Sequence, residues 1–159
     1  MGKFIEQTRR YRQAANVAFA YVRLIYLYAL YFGVGLPQES FCWSKGNIWR
    51  GIGRLDRAIG CYHESLKALE SWRLRTLLGW CYWRAGDNNA ALEQYRLAYK
   101  AQPRHEIALS MALLEFDIGK RDAALGLLRP VQDARRTLDE KILTQLQQLE
   151  AKFGLQPTK

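Results

Sequence analysis

The chain is poor in the side chains that carry catalysis. Its 159 residues include only two histidines, His63 and His105, far apart and set in Tyr-His-Glu and Arg-His-Glu contexts typical of a solvated surface. Gly46, Gly51 and Gly53 are spaced unlike a phosphate-cradling loop. The three cysteines, Cys42, Cys61 and Cys81, cannot all pair internally, and they fit no zinc spacing and no Cys-x-x-Cys motif. In helices such cysteines serve as small buried hydrophobes. No enzyme chemistry, metal, cofactor or small-molecule substrate is therefore expected. Proline is scarce at four residues, and acids are missing altogether between Ala14 and Leu36.

The net charge of +9 is unevenly distributed. Residues 1–36 hold five basic groups and one acid, and the remainder holds nineteen and fourteen. The larger part is thus a mixed, mildly basic surface. A clustered basic face of the kind that nucleic acid requires is absent, so nucleic acid is not an expected partner.

What the chain does have is a pattern that returns every 33 residues. Gly46, Gly53, Ala58, Tyr62 and Ser65 are echoed by Gly79, Gly86, Ala91, Tyr95 and Ala98, and more loosely by Ala112, Gly119, Ala124, Leu128 and Val131. Self-similarity at this period marks stacked helix pairs. Between Trp72 and His105 apolar residues recur at helical spacing on either side of Ala85-Gly86-Asp87-Asn88, which predicts helix, tight turn, helix. Gly79 and Ala91 are small where two helices must cross. Gly86 suits the positive φ that follows a helix C-terminus, and Asp87 or Asn88 can cap the next helix.

Leu78, Gly79, Tyr82, Gly86, Ala91, Tyr95, Ala98 and Pro103 stand in the order and spacing of one family pattern, and the segment resembles the tetratricopeptide repeat (TPR). Residues 39–132 are covered by the resemblance. The first copy has Lys45 in place of the family's leucine and no closing proline, so its second helix is expected to run on into Trp72. In the third copy Glu115 replaces an aromatic, and the early Pro130 predicts a short or kinked helix. The resemblance implies an all-α, helix-turn-helix repeat solenoid, with three pairs in residues 37–134. Residues 135–159 are expected to form a capping helix and tail, with Leu138, Ile142, Leu143, Leu146 and Leu149 on one face and Gly154 and Pro157 closing it.

Residues 1–36 form a long basic and apolar helix with several possible partners. Val17–Leu36 has the length of a membrane span. Lys3, Arg9, Arg10 and Arg12 precede it, and no signal-peptide cleavage site follows. As an anchor it would use Phe19, Tyr21, Leu24, Ile25, Tyr28, Tyr31 and Phe32, with Arg23 snorkelling to the interface. The alternatives are a helix docked on protein, including one laid across the repeat's own groove, and a helix lying in the membrane interface. The first reading places the chain at a membrane, of the bacterial inner-membrane type, with the side of the repeats open.

The resemblance also implies a partner-binding groove lined by the first helix of each pair. Its residues would be Trp43, Asn47 and Arg50, then Thr76, Trp80, Trp83 and Arg84, then Leu113 and Phe116. Large rings in a groove anchor helices or extended peptides, although tryptophans also fill gaps between helices. The function expected is a membrane-associated scaffold or adaptor for a partner protein, as an assembly factor or accessory subunit of a membrane complex. The alternative is a soluble chaperone that shields an apolar segment of a secreted protein, similar to the chaperones of type III secretion systems.

Overall fold

Helix runs through nearly all of residues 2–155, the part that the computed structural model describes. The side chains of residues 1–4 and 7, and residues 156–159 with Pro157, lie outside that description. Eight α-helices and one short 3-10 turn are present, and the described residues contain no strand. The fold is an all-α, TPR-like helix-turn-helix repeat, with a long N-terminal helix and a C-terminal cap.

The long helix α1 spans Gly2–Val34. Three pairs follow: α2 (Gln38–Gly51) with α3 (Leu55–Ala68), α4 (Trp72–Arg84) with α5 (Asn88–Ala101), and α6 (His105–Asp117) with α7 (Arg121–Asp133). After a 3-10 turn at Arg135–Thr137, α8 covers Glu140–Phe153. The chain divides into two compact units, residues 1–74 and 75–159.

Each pair turns at the same repeat position. Gly53, Gly86 and Gly119 have φ of +77°, +90° and +83°, a left-handed backbone that a side chain would strain. Asp87 then caps α5 by accepting the Ala90 N–H at 2.9 Å.

Two details differ from the sequence reading. Helix α3 does not run on into Trp72; it stops at Ala68, where Leu69 turns extended. Gln102, its counterpart 33 residues on, turns extended in the same way and ends α5 just before Pro103. The break therefore belongs to the repeat geometry, and proline is not its cause. Of the two expectations for α7, the short helix is not found: it runs 13 residues, Arg121–Asp133, with Pro130 inside it. A proline that close to a helix end removes one hydrogen bond and leaves the last turn in place.

In the first unit Gly46 explains its own identity. A Cβ there would lie 2.6 Å from the ring of Tyr62, which is fully buried. Tyr62 is held by donating to Asn47 Oδ1 at 2.9 Å, and Ser65 Oγ donates to the Glu39 carbonyl across the same pair.

Helix α1 runs antiparallel to α2 and presents Ala20, Leu24 and Leu27, all buried, at i, i+4 and i+7. Tyr31 stacks on Phe41 at 4.3 Å, Tyr28 meets Phe41 edge-on at 5.0 Å, and Tyr21 meets Trp49 at 5.9 Å. Lys45 donates to the Tyr28 hydroxyl at 2.8 Å, and that bond holds the ammonium above its ordinary range. These contacts leave Phe41 and Trp49 only 7% and 6% exposed. They also exclude a helix laid across the first unit's share of the groove: α1 covers Phe41, Lys45 and Trp49, and leaves Trp43 exposed. The opposite face of α1 is open.

In the second unit α8 closes a core made by α6 and α7. Ala112, Ala124, Leu128, Val131, Ile142, Leu146 and Phe153 form one buried cluster. Asp139 caps α8 by accepting the Ile142 N–H, and Gly154 ends the helix with a φ of +68°. Two buried carboxylates are paired. Glu115, in the position of Tyr82, meets Arg96 at 2.6 Å, and Glu150 meets Arg135 at 2.9 Å and Gln132 at 3.0 Å. Because a buried charge is costly unless paired, these contacts fix the register of α5 on α6 and of α8 on α7.

Candidate partner-binding groove

The candidate site lies in the second unit, where the ridge of α4 and the flank of α6 face α8 across a cavity of about 490 Å³. Helix α4 contributes Trp80 and Trp83, three residues apart and so on one face. Leu109 and Leu113, four apart on α6, make the apolar floor. The floor is fixed from behind, because Gly79 allows Tyr95 to pack within about a van der Waals contact of the α4 backbone. Burial pushes the Tyr95 hydroxyl up to about 12, despite its hydrogen bond with Ser110. It remains a neutral donor or acceptor at physiological pH.

The far wall is polar. Gln145, Gln148 and Lys152 of α8 line it at i, i+3 and i+7. Lys152 is held by Asp117 at 2.6 Å, which leaves the two amides as the freer hydrogen-bonding groups. Half-buried indoles over an apolar floor, facing a wall of amides, suit an apolar side chain whose backbone needs hydrogen-bond partners. Among the described residues no group of three His, Cys, Asp or Glu side chains is placed to hold a metal ion. Burial pushes the Cys42 and Cys61 thiols up, which makes them poorer nucleophiles.

The other expected lining residues are distributed as follows. Arg84 is exposed, with its guanidinium 5.7 Å from the Trp80 ring centre, at the rim. Thr76 is half-buried on α4 and does not line the cavity. Phe116 is occupied elsewhere: it stacks on Phe153 at 4.0 Å, with Arg121 and Lys152 near its ring. In the first unit Trp43 is exposed, Arg50 is half-buried and Asn47 is engaged by Tyr62. The α8 wall was not anticipated, since a helical pattern tells which residues share a face and not what that face meets. The polar run at 145, 148 and 152, beside the apolar stripe at 142, 146 and 149, was the available signal.

No family profile and no curated protein matches the chain. Among solved structures it is similar to MamA AMB-1, with a TM-score of 0.63 and 15% identity over 94% of this chain and 84% of that one. MamA MSR-1 gives 0.63 and 15%, over 92% and 84%. Another MamA crystal structure gives 0.56 and 20%, over 80% and 68%. At this identity the likeness concerns the fold, a TPR-like helical repeat.

Proposed function

We propose that this protein is a membrane-associated TPR-like scaffold that holds a partner protein, as an assembly factor or accessory subunit of a membrane complex. The observation that carries the binding half is the groove of the second unit, with Trp80 and Trp83 half-exposed over Leu109 and Leu113 and faced by Gln145 and Gln148. A TPR-like fold supports protein binding as the mode of action. The membrane half is supported by α1, whose residues Thr8–Val34 form a long apolar helix that leaves Val22, Ile25, Tyr26 and Phe32 exposed.

The test is co-purification from the native cell with full-length protein and with Trp83→Ala. The partner is expected to be lost from the variant, with helicity unchanged and the melting temperature lowered by only a few degrees. Retention of the partner, or a collapse in melting temperature, would contradict a binding role for Trp83. A second reading, a soluble chaperone, is favoured by the docking of α1 on α2, which gives the helix a partner within the protein. Fractionation of the native cell separates the two, since the scaffold is expected with membranes and the chaperone in the soluble fraction.

A further inference from the structure

The outer face of α1 is apolar and exposed. Opposite the Ala20–Leu24–Leu27 seam, residues Tyr11, Ala15, Ala18, Val22, Ile25, Ala29 and Phe32 follow one another at three- and four-residue steps, all exposed. Val22 is 61%, Ile25 70% and Phe32 78% exposed. No charge interrupts this face between Tyr11 and Gly33, a length of about 35 Å at 1.5 Å per residue. Arg12 and Arg23, both exposed, fall along one flank by the same periodicity. No acid occurs between Glu6 and Glu39, so nothing on α1 opposes them there.

The docked face rules out a free span. Phe41 and Trp49 of α2 are buried against α1, and the α2–α3 pair carries Glu39, Lys45, Asp56, Arg57 and Glu64. Threading α1 through a bilayer would either carry those charges into hydrocarbon, at several kcal/mol for each, or strip Phe41 and Trp49 bare. A helix lying in the plane of the interface avoids both costs. Its outer face sinks into the acyl boundary, its docked face stays on α2, and the flanking arginines meet the headgroups.

We infer that α1 lies flat on an anionic lipid surface through its Tyr11–Phe32 face while it remains docked on α2. This rests on the membrane association proposed above and specifies its mode. Lipid is favoured over a protein occupant because the apolar face is uninterrupted and its charged border is of one sign. An anionic bilayer matches both features at once.

The full chain is mixed with vesicles of phosphatidylcholine, with or without phosphatidylglycerol, and floated at low and high salt. Binding is expected with phosphatidylglycerol and should weaken with salt. Replacing Arg12 and Arg23 by Gln is expected to weaken it by roughly thirtyfold, at about fivefold per charge. The double variant Val22→Asp, Ile25→Asp should abolish binding while its circular dichroism and melting stay unchanged, since both positions are exposed. Equal, salt-insensitive binding to both vesicle types would overturn the flat mode and leave membrane association standing. No binding to either would overturn both. A full-length dimer in the absence of lipid, dissociated by the double variant, would assign the face to a second copy and overturn the lipid assignment.

Discussion

Helices α1 and α8 each pack against repeat helices, yet they treat their apolar residues in opposite ways. Helix α8 buries Ile142, Leu146, Leu149 and Phe153 and turns mostly polar side chains outward, so no large apolar side chain is fully exposed. Among its described residues helix α1 buries only Ala20, Leu24 and Leu27, and it leaves Phe19, Val22, Ile25, Tyr26 and Phe32 in the open. Both segments are helical and rich in apolar residues; what separates them is whether charge occupies the face away from the core. A terminal helix with a polar back seals a repeat. One with an apolar back needs a further surface, and that requirement is the strongest functional statement the first unit makes.

Truncation at matched positions on the two helices should give the largest difference. Leu146→Ala removes a fully buried side chain from the cluster that α8 shares with α6 and α7, and is expected to cost about 3 kcal/mol. Val22→Ala on α1 is expected to change stability by no more than about 0.5 kcal/mol, because the residue faces outward. Urea unfolding of both variants checks the pair. Equal losses would mean that the outer face of α1 is covered by protein.

A second contrast is chemical and of similar size. Tyr95 binds its proton more tightly in the folded chain than in the unfolded one, since burial pushes it up to about 12 from an ordinary 10. Its contribution is fully present below pH 10 and is lost as pH rises from 10 through 12, by up to about 3 kcal/mol. Stability of the second unit should fall over that window, and Tyr95→Phe should flatten the fall. An unchanged alkaline limb in the variant would assign the loss to other groups.

The smaller effects come from the crossing glycines. Gly46→Ala drives a Cβ to 2.6 Å from the fixed Tyr62 ring, and is expected to cost about 2 kcal/mol after the gain in helix propensity. Gly79→Ala meets the Ala91 carbonyl and the Tyr95 ring at 3.2 Å, so its crowding and its propensity gain should nearly cancel. Thermal melting of the two variants ranks them. The reverse order would mean that α4 and α5 cross more closely than α2 and α3.

Much of the fold was legible because the constraints that set it are local and recur. A turn that needs positive φ shows as glycine at 53, 86 and 119, and a close crossing shows as a small residue at 46, 79 and 112. The end of α3 is not legible from proline, because Leu69 and Gln102 break at one repeat position with or without it. The groove was legible only in part. Trp80, Trp83 and Leu113 follow from the repeat register, but the α8 wall and the capture of Phe116 by Phe153 depend on which helices meet. In α1 the pattern is apolar all round from Leu24 onward, so no periodicity distinguishes the docked face from the open one.

Helix α1 is docked by one face and open on the other, and hydroxyl-radical footprinting of the full chain reads both faces at once. In free protein Tyr26 and Phe32 should oxidise readily while Leu24 and Leu27 stay protected; on phosphatidylglycerol vesicles all four should be protected. Ready oxidation of Leu24 and Leu27 in the free protein would contradict the docked helix. Continued oxidation of Tyr26 and Phe32 on the vesicles would contradict the lipid-facing one.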